Sequence, residues 1–155
     1  VAARIAAHHT PYHQALSTEL ARVRAEHGVA ILYDCHSIRS RIPYLFDGTL
    51  PDFNIGTNLS TSCAPLVEKT VEDICRAAPG YSTVVNGRFR GGWTTRHHGR
   101  PHDGIHAIQM ELAQSTYMEE AAPWRWDEGR AARLRDVLAQ ILDALQSLAD
   151  RKVLT

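Results

Sequence analysis

Apolar residues recur at helical spacing early in the chain, where Tyr12, Leu16, Leu20 and Val23 form one stripe. That period predicts an amphipathic helix within residues 1–27. Thr10-Pro11 either caps a helix start or kinks one longer helix, and Gly28 is placed to end it. Residues 29–33 are continuously apolar (VAILY), the pattern of a strand buried on both faces. The run ends in the polar string Asp34-Cys35-His36-Ser37. Residues 38–62 show no period and read as a long loop. Pro65 opens a second helix with Leu66, Val67, Val71, Ile74 and Cys75 on its apolar face, stopped by Pro79-Gly80. Residues 81–85 read as a strand, 86–103 as a second long loop, and 104–112 as a strand. Asp127 is placed to cap a last helix whose Leu134, Leu138, Ile141, Leu145 and Leu148 make a core-facing stripe.

This order of helices and strands, with no repeat and no linker, predicts one α/β domain over residues 1–155 with a mixed, mostly parallel central sheet flanked by helices. Such sheets bind ligands at the carboxyl ends of their strands. The strings 34–37, 86–90 and the residues around Glu111 all fall at or near predicted strand ends.

Composition narrows the classes. The chain has 155 residues, 44% of them hydrophobic and 22% charged, which is ordinary globular usage. Lys plus Arg and Asp plus Glu are 17 each, and this balance speaks against a general nucleic-acid binder. No apolar run approaches the roughly 20 residues of a membrane span, and no signal-peptide layout is present. Three cysteines without a C-x-x-C pair argue against a disulfide scaffold and for a reducing, cytoplasmic setting. Nothing in the pattern selects an oligomeric state.

Three places could carry chemistry. His36, just past a buried strand and beside Asp34, is placed as a metal ligand or general base, or as a histidine satisfied by loop backbone. The 86–100 segment carries Arg88, Arg90, Arg96 and Arg100 among glycines; guanidinium forks suit carboxylates or phosphates, although a solvated loop has the same composition. It contains no P-loop, so an anionic small molecule is the expected ligand. Glu111, among Ile108, Met110, Leu112 and Ala113, is either a carboxylate with a raised pKa serving as a general base or an edge-strand residue in water. His97, His98, His102 and His106 do not form an H-E-x-x-H site; His97 and His98 are instead candidates to hydrogen-bond substrate oxygens. Cys35 beside His36 is a poor nucleophile pair, because neighbours on a strand point to opposite faces. Ser37 lacks a nucleophile elbow. Trp93, Trp124 and Trp126 are expected to pack inside, with cleft walls as the alternative.

Three stretches, "LYDCHSIRSRIPYLFDGTLPDFNIGTN", "VVNGRFRGGWTTRHHGRP" and "GIHAIQMELAQSTYM", together resemble the N-formylglutamate amidohydrolase (N-formylglutamate deformylase) family. The resemblance runs from about Pro11 to the last helix. It implies a fold similar to zinc carboxypeptidases (phosphorylase/hydrolase-like), with one catalytic zinc. It implies that His36 is a zinc ligand, that Glu111 is the general base, and that Arg39, Arg88 and Arg96 hold substrate carboxylates. The implied reaction is zinc-dependent hydrolysis of N-formyl-L-glutamate to formate and L-glutamate, in bacterial histidine degradation.

Members of that family also carry a large N-terminal part with a "PH-small-Gly" motif that completes the zinc site, and none of it is in this sequence. The resemblance therefore implies the C-terminal portion of a longer enzyme, an uncovered apolar sheet edge, and a fragment whose own activity is open. Three rival expectations stand beside it: a metal-free binding module for an anionic amino-acid-like ligand, a hydrolase of another N-acyl amino acid, and an inert structural piece with no cleft of its own. Zinc dependence and formate release separate the first rival from the enzyme, and a substrate panel separates the second.

Overall fold

The computed structural model describes residues 1–154; Thr155, the last residue of the expected domain, lies outside the described residues. Helix α1 (Ala2–Arg4) runs through a wide π turn (Ile5–His9) into α2 (Thr10–His27) without a break. Pro11 stands in the first turn of α2, directly after the π turn and so inside a continuous helix. No side-chain cap forms there, so the Thr10 cap is not realised and the helix continues instead. Gly28 ends α2 at φ 84°, donating its N–H to Arg24 O at 2.8 Å. That left-handed backbone favours glycine.

The sheet contains β1 (Ala30–Ile38), β2 (Phe53–Gly56), β3 (Thr83–Val85) and β4 (Ile105–Ala113), in the order β1-β4-β2-β3. β1 runs parallel to β4, β2 parallel to β3, and β2 antiparallel to β4. The expected mixed, mostly parallel sheet is thus present. The remaining helices are α3 (Pro65–Ala77), α4 (Trp93–His98) and α5 (Glu128–Asp150).

Strand alternation sorts the two faces. Ile31, Tyr33, Ile108, Met110 and Leu112 join the main core with α3 and α5. Ala30, Leu32 and Ile105 meet Leu16, Leu20 and Val23 of α2. α4 lies against β1 and β4. Asp127 caps α5, its Oδ1 accepting from Arg130 N–H at 2.9 Å. Leu134, Ile141, Leu145 and Leu148 of the α5 stripe are buried, Ile141 wholly so, while Leu138 is half-buried. Ile141→Ala should destabilise the chain by about 2–5 kcal/mol, the range for a core cavity, read as a lowered urea midpoint.

Four sequence expectations need correction. The 86–103 loop contains α4, whose apolar face is too short to show a helical period. The polar string 34–37 is the second half of β1, because its parallel ladder to β4 continues to Ile38. The 38–62 loop contains β2, a central strand. β2 is only four residues long, and two of them, Asn54 and Gly56, are not apolar, so no period shows. Trp93, Trp124 and Trp126 are exposed, not interior.

β1 forms an open edge of the sheet. Beside it lies a groove of about 890 Å3, lined by residues including Val23, Ile31, Tyr33, Leu142 and Leu145. No helix among the described residues is long and apolar enough to cross a membrane.

Candidate active site

The polar residues converge on one face through strand register. β1 and β4 pair Asp34 with Gln109 and His36 with Glu111. Directly paired residues share a face, so these four side chains form a polar square on that face of the sheet. β2 places Asn54 opposite Glu111 and Gly56 opposite Gln109. This face is therefore continued by a buried amide and a position without a side chain.

Within the square, His36 Nε2 lies 3.1 Å from Asp34 Oδ1. That contact turns Nε2 toward the carboxylate, while the His36 side chain stays about half exposed. Asp34 Oδ2 is buried and unpartnered. Glu111 is 6% exposed. Burial raises its pKa; the His36 charge opposes that and Asp34 adds to it. Gln109 Nε2 approaches Glu111 Oε2 at 3.4 Å. Asn54 Nδ2 donates to the backbone carbonyls of Pro51 and Glu111, bracing the strand beneath the carboxylate. Of the two readings of Glu111, the buried carboxylate is the one the structure shows.

The arginine loop lies over this face. Asn58 N–H donates to Arg90 O at 2.6 Å, and Gly92 N–H to Gln109 Oε1 at 2.6 Å. Arg88 is exposed and lies 4.9 Å over the Phe46 ring, an arrangement that steadies a guanidinium without using its donors. Arg96 spends one donor on Gly91 O at 2.7 Å, so part of its fork braces the loop. Arg39 is exposed just past the end of β1. Its neighbour Ser40 is held by Glu120, which accepts from the Ser40 N–H and hydroxyl and from Ser115 N–H.

The histidine expectations divide. His98 is buried and faces His13, Nε2 to Nδ1 at 3.1 Å, not an open cleft. His97 is exposed and stacks on Trp93 at 4.0 Å. His106 is buried, and its Nδ1 accepts from Ala64 N–H. Burial, then the charges of His97, His13 and Arg100, pushes His98 down to about 4 against a weaker opposing effect of Asp34. Burial, then His9 and His97, lowers His13. A histidine whose folded pKa is depressed stabilises fully above its unfolded value and loses that contribution as pH falls. Stability should therefore drop between about pH 6.5 and 4, by up to about 3 kcal/mol from His98 alone. Urea midpoints across that range check this, and His98→Gln should flatten the slope.

Burial pushes the Cys63 and Cys75 thiols up to about 12. Cys35 is exposed, and partial burial and then Asp34 raise its thiol as well.

The zinc expectation fits in part. A histidine oriented by a carboxylate suits one ligand position. Among the described residues, however, no group of three or more His, Cys, Asp or Glu side chains is arranged to hold a metal ion. A catalytic zinc needs about three protein ligands, so these residues do not make a zinc site by themselves.

Comparison with known proteins decides the kinship. The profile of the N-formylglutamate amidohydrolase family matches residues 1–118. The chain belongs to that family. It is 53% identical over 136 residues to N-formylglutamate deformylase of Pseudomonas aeruginosa, covering 88% of this chain and 51% of that protein. Against N-formylglutamate deformylase of Pseudomonas putida, identity is 54% over 135 residues, covering 87% and 51%. The crystal structure of N-formylglutamate amidohydrolase from Ralstonia eutropha superposes with a TM-score of 0.75 at 26% identity, covering 93% of this chain and 54% of that one. The chain spans about half the length of these family members.

Gln109 lies in the third family-like stretch, and the sequence alone assigns it no role. A signal was available: Gln109 and Glu111 alternate with Ile108 and Met110, so a half-polar strand face was legible. Asn54 and Glu120 carried no such signal, because the partners that tie them to the site region, Glu111 and Ser40, are 57 and 80 residues away.

Proposed function

We propose that this chain carries the base and substrate-anchoring part of a deformylase site that hydrolyses N-formyl-L-glutamate to formate and L-glutamate. The observation that supports this most is the pairing of His36 with Glu111 on one sheet face, each with its own polar partner, in a member of this family. Glu111 accepts a proton from the attacking water as oxygen bonds to the formyl carbon. It returns that proton to nitrogen as the C–N bond breaks. Arg39, Arg88 and Arg96 neutralise the two glutamate carboxylates and hold the formamide in place. Zinc is part of the proposal only through His36 as one ligand, with the others supplied by polypeptide this chain does not contain. The wider setting we propose is cytoplasmic histidine degradation.

A formate-release assay with N-formyl-L-glutamate, run on this chain joined to the polypeptide that supplies the other ligands, tests the reading, with N-acetylglutamate and other N-acyl amino acids alongside. Arg88→Ala should raise KM about tenfold with little change in kcat, because its donors are free for substrate. Arg96→Ala should lower kcat as well, since it also releases the Gly91 carbonyl. Glutamate binding without formate release or metal dependence would leave the metal-free binding module in its place.

A further inference from the structure

Gln109 is 4% exposed and uses both ends of its amide. Its Oε1 accepts the Gly92 N–H at 2.6 Å, and its Nε2 approaches Glu111 Oε2 at 3.4 Å. The amide's orientation is set by chemistry: only the oxygen can accept from an N–H, so only the nitrogen can face the carboxylate. The Gly91–Gly92 peptide is held on both sides, its N–H by Gln109 and its carbonyl by Arg96 Nη1 at 2.7 Å. Gly91 is at φ 103°, a backbone that excludes most other residues. Opposite Gln109 stands Gly56, where a Cβ would come within 2.4 Å of Gly91 N. The loop backbone thus seats directly on the sheet beside the amide.

We infer that Gln109 is a positioning residue that holds the Glu111 carboxylate and the arginine loop in one frame, fixing the reach from substrate carboxylate to reacting formyl group. This rests on the reading of Glu111 as the base. The amide touches no substrate; it acts through the groups at its two ends.

Two variants separate those ends. Gln109→Glu keeps an oxygen for Gly92 N–H but loses the donor toward Glu111. Gln109→Met, of similar size, loses both. The Met variant should speed hydrogen exchange at Gly92 N–H about tenfold or more, through local opening of the loop, and raise KM. The Glu variant should keep Gly92 protected and KM near normal, yet lower kcat on the order of tenfold, as expected when a base is displaced. Unchanged Gly92 exchange in the Met variant, or unchanged kcat in the Glu variant, overturns the inference. If the Met variant does not fold, the KM-against-kcat split of the Glu variant decides. If no formate is released even when the remaining ligands are supplied, the functional reading fails, and a stability cycle of this chain judges the frame instead. Urea midpoints of Gln109→Glu, Glu111→Gln and the double variant are then compared; non-additive shifts support the tether and additive ones overturn it.

Discussion

Glu111→Gln should lower formate release by about 10²–10⁴-fold, the contribution of a positioned general base. The amide cannot take the proton of the attacking water, yet it has nearly the same shape and still faces Gln109. kcat and kcat/KM should fall together, because the interaction lost belongs to the transition state. Stability should move the other way. Burial raises the Glu111 pKa, so the folded chain holds that proton more tightly than the unfolded chain. Its contribution is favourable at low pH and is lost as pH rises from the ordinary carboxylate value through the raised one. Glu111→Gln removes that loss and should show an equal or higher urea midpoint at neutral pH. The parent's rate should rise with pH through the same window as the base ionises. A Glu111→Gln variant with normal kcat would end the assignment.

The second large effect is expected at Gly56→Ala. The added Cβ would lie 2.4 Å from Gly91 N, 2.9 Å from Arg90 C and 3.0 Å from Gly91 Cα. All three are backbone atoms, so no side-chain rotation relieves the clash. Either β2 leaves its register with β4 or the arginine loop lifts, and both cost stability, about 2–3 kcal/mol for overpacking of this kind. A lifted loop also displaces Arg88 and Arg96, so KM should rise alongside the loss of stability. Gly48→Ala makes the comparison, since nothing lies within 4 Å of its Cβ although its φ is +76°. It should cost only the roughly 1–2 kcal/mol of a left-handed backbone and leave KM unchanged. Equal urea midpoints and KM values for the two variants would contradict the close seating of the loop.

The sequence by itself determined what depends on local chemistry and short periods. The α5 stripe with its Asp127 cap, the Gly28 terminus, the Pro65 helix and the apolar halves of β1 and β4 follow from side-chain spacing and backbone preference within a few residues. Glu111 among apolar neighbours and His36 beside Asp34 were candidates for the same reason, and three motifs in order carried the family. Tertiary structure alone decided what depends on register. The pairing of His36 with Glu111 and of Asp34 with Gln109 joins positions 75 residues apart, and no local pattern encodes which strand pairs with which. β2 is a strand because β3 and β4 supply its hydrogen bonds, not because its four residues favour one. His97 and His98 are neighbours in sequence, yet one is exposed and the other buried against His13, since a helix turns successive side chains about 100° apart. Gln109 acquires a role only where the loop folds back onto Gly56, and that contact between two backbones exists nowhere in the linear chain.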